Sequence, residues 1–292
     1  MTVSKVLLCL DADDQPSVFD SVVALDAGVD HLLRHGGVRP ENVRDLAYGL
    51  LFTRAVSSLR HSAIFIGGSD APQGESLLKA AVDAFFGPFR VSVMLDANGC
   101  NTTAAAAVLA AGRHVALADA VVTVLAATGP VGRRIVRLLA REGARVRVAS
   151  RRQIHAEGVC DRIAAAVPGA QLTPVTIDSA AAAEDAIEGV QAVVSCGPPQ
   201  IELLTADQRK SARGLQVAID LNAVPPHGLG GVQPTDAGES RDGHVCYGAL
   251  GVGKHKMKIH RAAIGRLFLR NDLVLDAEEI YALGKEMQHA AG

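Results

Sequence analysis

Short apolar runs alternate with amphipathic segments along most of the chain. A β-branched apolar run of strand length predicts a buried strand, and apolar residues at every third or fourth position predict a helix. Their regular alternation predicts an α/β fold with parallel sheets. The predicted strands are Val6 to Leu10, Ser62 to Ile66, Arg90 to Leu95, Val121 to Ala126, Val146 to Ala149, Leu172 to Ile177, Ala192 to Cys196 and Gln216 to Ile219. The predicted helices are Val18 to about Leu33, Glu41 to Phe52, Glu75 to Phe86, an Ala-rich helix capped by Asn101, one ended by Gly143, His155 to Ala166, and Asp276 to Gln288.

One strand–turn–helix unit carries a glycine motif. The strand from Val121 is followed by the sequence Ala127-x-Gly129-x-x-Gly132 and then by an amphipathic helix. Glycines at such a turn allow the backbone to approach a pyrophosphate, and the helix N-terminus attracts its charge. The alternative is an ordinary crossover without a phosphate, which the strand–turn–helix context disfavours. The predicted phosphate-binding residues are Thr128, Gly129, Pro130, Val131 and Gly132.

The next strand ends in Ser150, Arg151 and Arg152. A site for NAD normally has Asp or Glu here to accept hydrogen bonds from the ribose 2′-hydroxyl. No acidic residue occurs between Gly143 and Ala156, whereas two guanidinium groups and a hydroxyl favour a 2′-phosphate. The alternative is a solvated basic turn. The two motifs together predict NADP as the cofactor.

Composition limits the class of protein. The 292 residues are 49% hydrophobic and only 3% aromatic, which suits Ala-rich helices packed around parallel sheets in two domains. A net charge of −2 gives no sign of nucleic-acid or membrane binding. Five widely spaced cysteines without a C-x-x-C pair predict free thiols rather than a disulfide frame or a metal site. We therefore expect a cytoplasmic protein without metal, and its apolar, Ala-rich surface predicts a homo-oligomer.

The C-terminal helix suggests how the domains are connected. Asp276 is a predicted N-cap with a Glu three residues later, and the helix it opens is expected to pack on the N-terminal domain. The predicted domains are residues 1–106 plus 262–292, which bind the substrate, and residues 107–261, which bind NADP. A cleft is expected between them.

A polar cluster marks a candidate substrate site. A predicted strand ends at Asp96, a turn with Asn98 follows, and a helix opens with Asn101 and Thr102. Ligands of open α/β sheets bind beyond the carboxyl ends of strands, which is where this cluster falls. Asp, Asn and Thr are also preferred helix caps, so a well-capped helix start is the alternative.

Several segments resemble one enzyme family. They are PSVFDSVVALDAGVDH, FFGPFRVSVMLDANGCNTTAAAAV, ATGPVG, DLNAVPP and GALGVGKHKMKIHRA. The chain resembles the NADP-dependent methylenetetrahydromethanopterin/methylenetetrahydrofolate dehydrogenases of bacterial one-carbon metabolism over nearly its whole length. The resemblance implies two α/β domains around a cleft, with NADP and a reduced pterin as ligands. It also implies hydride transfer from the methylene-pterin to NADP, which gives the methenyl form. Ala127 departs from relatives that carry glycine there.

The implied reaction assigns roles to further residues. A carboxylate near the forming methenyl cation favours the transition state, and Asp20 and Asp96 are the candidates. Asp20 has an equally supported alternative in the first turn of a helix capped by Ser17. Three of the seven lysines fall at positions 254, 256 and 258, and their period-two spacing predicts one face of an extended segment. We assign Lys256 to pterin binding, with a solvated basic loop as the alternative. His260 is expected near the same site, with a structural role at the start of a helix as the alternative.

Turns of the nucleotide domain complete the prediction. Ser195 and Gly197 are expected near the adenosine ribose, and Asn222 near the nicotinamide carboxamide. Two other functions stay open: another two-domain NADP reductase of the shikimate dehydrogenase kind, and a non-catalytic NADP redox sensor. The first needs a Lys–Asp pair in the first domain, where only Lys5 and Lys79 occur. Within the family, the sequence leaves tetrahydromethanopterin and tetrahydrofolate open.

Overall fold

The computed structural model describes residues 3–291. Its strands are β1 Val6–Leu10, β2 His31–His35, β3 Ser62–Ile66, β4 Ser92–Leu95, β5 Val121–Leu125, β6 Arg145–Ser150, β7 Gln171–Thr176, β8 Ala192–Ser195, β9 Val217–Asp220, β10 Ala237–Arg241, β11 His244–Tyr247 and β12 Val274–Leu275. Its helices are α1 Val18–Asp26, α2 Pro40–Leu51, α3 Ala71–Asp83, α4 Cys100–Gly112, α5 Pro130–Arg141, α6 Gln153–Ala166, α7 Ala180–Ile187, α8 Ala206–Ser211, α9 Ala249–Arg266 and α10 Ala277–Ala291.

The chain divides into two compact units. The first contains the residues up to Thr102 and those from Met257 onward, and the second is Thr103–Lys256. Both crossings between the units fall inside helices, α4 and α9. The predicted boundaries, after residues 106 and 261, lie in the same two helices.

The first unit is built on a five-stranded parallel sheet with the order β12-β4-β3-β1-β2. Its central strand β3 is completely buried, because both faces of a parallel sheet are covered by helices. The carboxyl ends of β1, β3 and β4 lead directly into Asp11, Gly67 and Asp96. Two carboxylates, Asp11 and Asp96, therefore lie at the carboxyl end of this sheet.

The second unit contains a seven-stranded sheet with the order β10-β11-β9-β8-β5-β6-β7. All its pairs are parallel except β10–β11, which is an antiparallel hairpin. The chain runs outward from β5 through β6 to β7 and then returns to β8 on the other side of β5. This reversal of strand order between β5 and β8 is where open α/β sheets bind ligands.

The predicted helix from Val18 to Leu33 is wrong in its second half. Helix α1 ends at Asp26, and Gly28 then takes a left-handed backbone conformation with φ +82° that stops the helix. His31–His35 forms β2, paired in parallel with β1. An edge strand with exposed residues has no apolar alternation, so the local pattern gave no sign of it.

The Gly- and Pro-rich stretch contains regular structure that its composition does not indicate. It includes β10, β11 and the start of α9, where Gly248 and Gly251 serve close packing. A β-carbon on Gly251 would lie 1.7 Å from the Asp236 carbonyl oxygen. These glycines are needed for space rather than for flexibility.

Further sequence predictions concern membrane spans, metal clusters and thiols. Within residues 3–291 no helix is both long and apolar enough to span a bilayer. The same part of the chain brings no three His, Cys, Asp or Glu side chains together as a metal cluster. All five cysteines are free thiols, as predicted, and four of them are buried.

Candidate functional site

A cavity of about 780 Å³ opens in the second unit at the carboxyl ends of β5, β6 and β8. It is lined by the turn after β5, by the end of β6 and the start of α6, and by the segment after β8. The predicted cofactor residues on its wall are Thr128, Gly129, Ser150, Arg151, Arg152 and Gly197. The strand-order reversal therefore coincides with a ligand-sized cavity.

The two glycines of the motif have different physical roles. A β-carbon on Gly132 would lie 2.7 Å from the Cα of Ala127, so glycine is required for helix α5 to pack against the turn. A β-carbon on Gly129 would meet no atom within 4 Å. Gly129 is also the N-cap of α5 and makes no side-chain capping bond, and Pro130 follows it. The backbone N–H groups of Val131 and Gly132 are thus left for an anion at the helix N-terminus.

The basic pair after β6 borders the cavity as predicted. Arg151 and Arg152 are exposed, whereas Ser150 is buried and its hydroxyl accepts a 3.4 Å hydrogen bond from the Arg152 backbone N–H. Arg152 is the N-cap of α6 and also makes no side-chain capping bond. Two guanidinium groups and a second uncapped helix N-terminus therefore lie at one corner of the cavity.

His155 is a cavity residue that the sequence reasoning did not select. It lies in the first turn of α6, is exposed, and lines the cavity beside the basic pair. Its position three residues after Arg152 was the available signal, because residues three apart lie on the same face of a helix.

Ser195 and Asn222 are placed differently from the wall residues. Ser195 is fully buried at the end of β8. Asn222 Nδ2 donates to the Pro226 carbonyl at 3.2 Å, and its Oδ1 accepts from the Val224 N–H at 2.9 Å. Asn222 thus holds the turn after β9, and its predicted contact with nicotinamide stays a prediction. Next to Ser195, burial and then the charge of Asp220 raise the pKa of the Cys196 thiol to about 12, which favours its protonated form.

The polar cluster of the first unit forms a buried network at the start of α4. Asp96 Oδ1 accepts hydrogen bonds from the backbone N–H groups of Asn101 at 3.0 Å and Thr102 at 2.9 Å, and its Oδ2 accepts from the Thr102 hydroxyl at 2.6 Å. His260 Nδ1 lies 3.9 Å from Asp96 Oδ2. Asp96, Asn101, Thr102 and His260 are all buried, and only Asn98 of this turn is exposed. The network matches the capping alternative, and direct substrate contacts of Asp96 and Thr102 stay predictions.

Two further carboxylates, those of Asp11 and Asp20, lie close to Gly67 at the end of β3. A β-carbon on Gly67 would lie 3.3 Å from Asp20 Oδ2 and 3.6 Å from Asp11 Oδ2. Asp20 lies in the first turn of α1, where its backbone N–H donates to the Ser17 hydroxyl at 3.1 Å. Asp11 in turn accepts the Ser17 N–H at 3.1 Å. Asp11 and Ser17 therefore fix the start of the helix that presents Asp20.

Aromatic rings extend this group, and the sequence reasoning missed them. The Phe65 ring stacks on His260 with centroids 5.6 Å apart, and the Phe19 ring lies 6.5 Å from the same imidazole. Phe19 is 52% exposed although it is a large apolar residue next to Asp20. Ligand pockets are lined largely by hydrophobic and aromatic side chains, so this ring is a candidate ligand contact. In the sequence, Phe19 is one of several apolar residues of a predicted helix, and nothing in the pattern distinguishes it from a residue of the core.

The expected extended segment around the three lysines is wrong, and so is the helix start at His260. Helix α9 begins at Ala249, so His260 lies well inside it. Successive residues of a helix are rotated by about 100°, which puts Lys256 about 200° from both Lys254 and Lys258. Lys254 and Lys258 are exposed, whereas Lys256 is half-buried. Lys256 therefore lies on a different face of the helix from Lys254 and Lys258.

Comparison with known proteins identifies the family. A family profile described as methylene-tetrahydromethanopterin dehydrogenase, N-terminal, matches residues 18–98. The NAD(P)-dependent methylenetetrahydromethanopterin dehydrogenase of Methylorubrum extorquens is 30% identical over 287 residues, which cover 93% of this chain and 94% of that protein. The chain belongs to the methylene-tetrahydromethanopterin dehydrogenase family. The bifunctional protein MdtA of the same organism is 44% identical over 287 residues, 97% of this chain and 99% of its own. The resemblance predicted from the sequence is confirmed, and this family member is an enzyme.

Solved structures support the fold class. Shikimate 5-dehydrogenase from Listeria monocytogenes matches with a TM-score of 0.55 and 12% identity, and covers 97% of this family member and 96% of that chain. Quinate dehydrogenase from Corynebacterium glutamicum matches with a TM-score of 0.51 and 16% identity, over 97% and 99% of the two chains. At such identities the likeness concerns the fold alone. The predicted α/β class is confirmed.

Proposed function

We propose that this enzyme oxidises a methylene-tetrahydropterin of the tetrahydromethanopterin type to the methenyl form and reduces NADP. The observation that carries the proposal is the pairing, in a member of this family, of the glycine turn with the exposed Arg151 and Arg152 on one cavity. Names of relatives support a nicotinamide cofactor and a tetrahydromethanopterin substrate. The preference for NADP over NAD rests on the basic pair alone.

The residues of the second unit fit a dinucleotide. Gly129 leaves space on the cavity side, and the N–H groups at the start of α5 suit a pyrophosphate. Arg151 and Arg152 suit the 2′-phosphate, because a guanidinium forms charge-assisted hydrogen bonds with phosphate oxygens. We assign His155 to the same corner. We assign Gly197, after β8, to the adenosine ribose, because it lines the same cavity.

The chemistry explains why an acid–base pair is not required. The donated hydride leaves a carbon that is flanked by two ring nitrogens, and their lone pairs stabilise the resulting cation directly. When bound, NADP supplies the carbon that accepts this hydride. The protein has to align the two carbons, exclude water and favour the positive charge that forms.

We assign the pterin to the carboxyl end of the first sheet. Phe19 offers an exposed aromatic face, and Asp20 offers a half-buried carboxylate one residue later. A carboxylate at this place stabilises a forming methenyl cation more than the neutral substrate, which is how it favours the transition state. Asn98 is the exposed member of the neighbouring turn and suits a polar edge of the pterin. Lys256 is assigned to pterin binding, with its ammonium group acting on a carbonyl oxygen or on a carboxylate.

One assay tests the proposal. Methylene-tetrahydromethanopterin and methylene-tetrahydrofolate are each supplied with NADP and with NAD, and nicotinamide reduction is followed by absorbance. We expect turnover with a methylene-pterin and NADP, undiminished by a strong chelator. Turnover with shikimate or quinate but with neither pterin would overturn the pterin assignment. A protein that binds NADP and turns over none of these substrates would instead fit a redox sensor.

A further inference from the structure

A second cavity lies in the first unit, on the face of the sheet that α2 covers. It has a volume of about 580 Å³, within the range of small-molecule sites. It shares no lining residue with the cavity of the second unit or with the pocket that contains Asp11 and Asp20. Its apolar lining consists of Val6, Leu8, Leu33, Leu46 and Leu50.

The cavity contains a buried hydroxyl without a partner. Ser62, the first residue of β3, is fully buried, and its Oγ makes no hydrogen bond with the part of the chain described. The strand register sets Ser62 beside Val6 and Val6 beside His31, so the three side chains lie in one row on the cavity face. An unsatisfied buried hydroxyl destabilises the fold, and a ligand atom that bonds to it removes this cost.

A guanidinium group lines the same cavity as this hydroxyl. Arg54 Nη1 donates to the His61 carbonyl at 2.8 Å, and His61 directly precedes Ser62. Arg54 is half-buried and forms no ion pair with any residue that the structure describes. Its remaining N–H donors have the fork geometry that matches a carboxylate. His31 and His35 also line this cavity, and Asp45 is its one acidic lining residue.

We propose that this cavity binds a small carboxylate with an apolar chain. The carboxylate accepts hydrogen bonds from Arg54 and Ser62, and the apolar chain lies against the leucines of β1, β2 and α2. Gly49 of α2 gives the chain its room, because a β-carbon there would meet no atom within 4 Å. An amine of the same length would place a positive charge beside Arg54 and is excluded.

Calorimetric titration of the complete enzyme with octanoate tests the site, with octylamine and octanol as matched probes. We expect octanoate to bind, octylamine not to bind, and octanol to bind at least about tenfold more weakly, because it lacks the charge-assisted hydrogen bonds. Arg54→Met keeps the apolar stem and removes the charge, and it should lose about tenfold or more in octanoate affinity.

Gly49→Leu fills the cavity at a helical position that has space and should abolish octanoate binding. Gly265→Leu is the control, because Gly265 is also helical, also has no atom within 4 Å of an added β-carbon, and lies outside the cavity. Octanoate binding is measured by calorimetry and requires no turnover, so the outcome is independent of the proposed function. Absence of octanoate binding, equal binding of octanoate and octylamine, or binding that survives Gly49→Leu would each overturn the proposal.

Discussion

A β-carbon on Gly132 would lie 2.7 Å from the Cα of Ala127, closer than side chains and backbone approach each other in proteins. Helix α5 is therefore packed directly against the turn that precedes it. The contact is with backbone, which cannot move aside as a flexible side chain can. Glycine at position 132 is a packing requirement, whereas glycine at position 129 faces open space.

This difference predicts opposite results for two similar substitutions. Gly132→Ala should lower the free energy of unfolding by about 1–3 kcal/mol, because the methyl group forces the helix away from the turn. Gly129→Ala, at φ −74°, should leave stability equal or raise it by up to about 1 kcal/mol while weakening NADP binding. Urea unfolding and NADP titration measure the two effects. Equal destabilisation by both substitutions would contradict the packing account.

The basic pair predicts cofactor preference. Arg151→Ala combined with Arg152→Ala should lower kcat/KM for NADP by about tenfold or more and change that for NAD little, because NAD has no 2′-phosphate. Both side chains are exposed to solvent, which screens their charge, so we expect a loss close to tenfold rather than a much larger one. The measurement is the ratio of the two kcat/KM values at fixed ionic strength. An unchanged ratio would refute the NADP assignment.

Ser150→Asp should change the preference between NADP and NAD more than removal of the two arginines does. A carboxylate at this buried strand end repels a 2′-phosphate and offers an acceptor to the ribose 2′-hydroxyl of NAD. We expect NAD to become the better cofactor. Asn is similar in size to Asp but carries no charge, so Ser150→Asn is the control. It should weaken NADP binding without raising the activity with NAD.

Asp20 and Lys256 are predicted to act on the pterin. Asp20→Asn and Lys256→Met should each lower turnover by about tenfold or more, since each removes a charged interaction. NADP affinity, measured by calorimetry, should stay within a few-fold of the unaltered enzyme. Lys254→Met is the matched control, because Lys254 is exposed on another face of α9 and should leave turnover unchanged. A large loss of NADP affinity in either main variant would reassign that residue to the nucleotide.

Asp11 predicts a dependence of stability on pH. Burial raises the pKa of this carboxyl above its ordinary value of 3.8, against the lowering effect of hydrogen bonds from the backbone N–H groups of Asp13 and Ser17. Between the ordinary and the raised pKa, the folded protein binds more protons here than the unfolded chain. Stability contributed by this group therefore falls as pH rises through that interval, and the loss persists above it.

Comparison with Asp11→Asn isolates this effect. The variant cannot titrate at position 11, so its free energy of unfolding should rise relative to that of the unaltered protein as the pH increases from acid towards neutral. Urea unfolding at a series of pH values provides the measurement. A difference between the two proteins that is the same at every pH would show that Asp11 does not titrate differently on folding.

The strand–turn–helix unit at the start of the second unit could be predicted from neighbouring residues alone. The apolar run from Val121, the two motif glycines and the end of α5 before Gly143 are properties of neighbouring residues, and the structure forms β5, α5 and β6 there. The bounds of β1 and β3 agree with the prediction residue for residue, because these inner strands are covered on both faces and are apolar at every position except Ser62.

Tertiary structure decided what depends on distant residues. The exposed sequence of β2 becomes a strand only because β1 offers it a partner, and α9 starts at Ala249 because two glycines allow it to pack on Pro234 to Ala237. The separation of Lys256 from the other lysines follows from that helix. Likewise, the presence of the unpaired Ser62 hydroxyl and Arg54 on one cavity depends on strand register and on the turn after α2. A sequence determines the periodicity of its own segments, whereas burial and pairing belong to the partner that each segment meets.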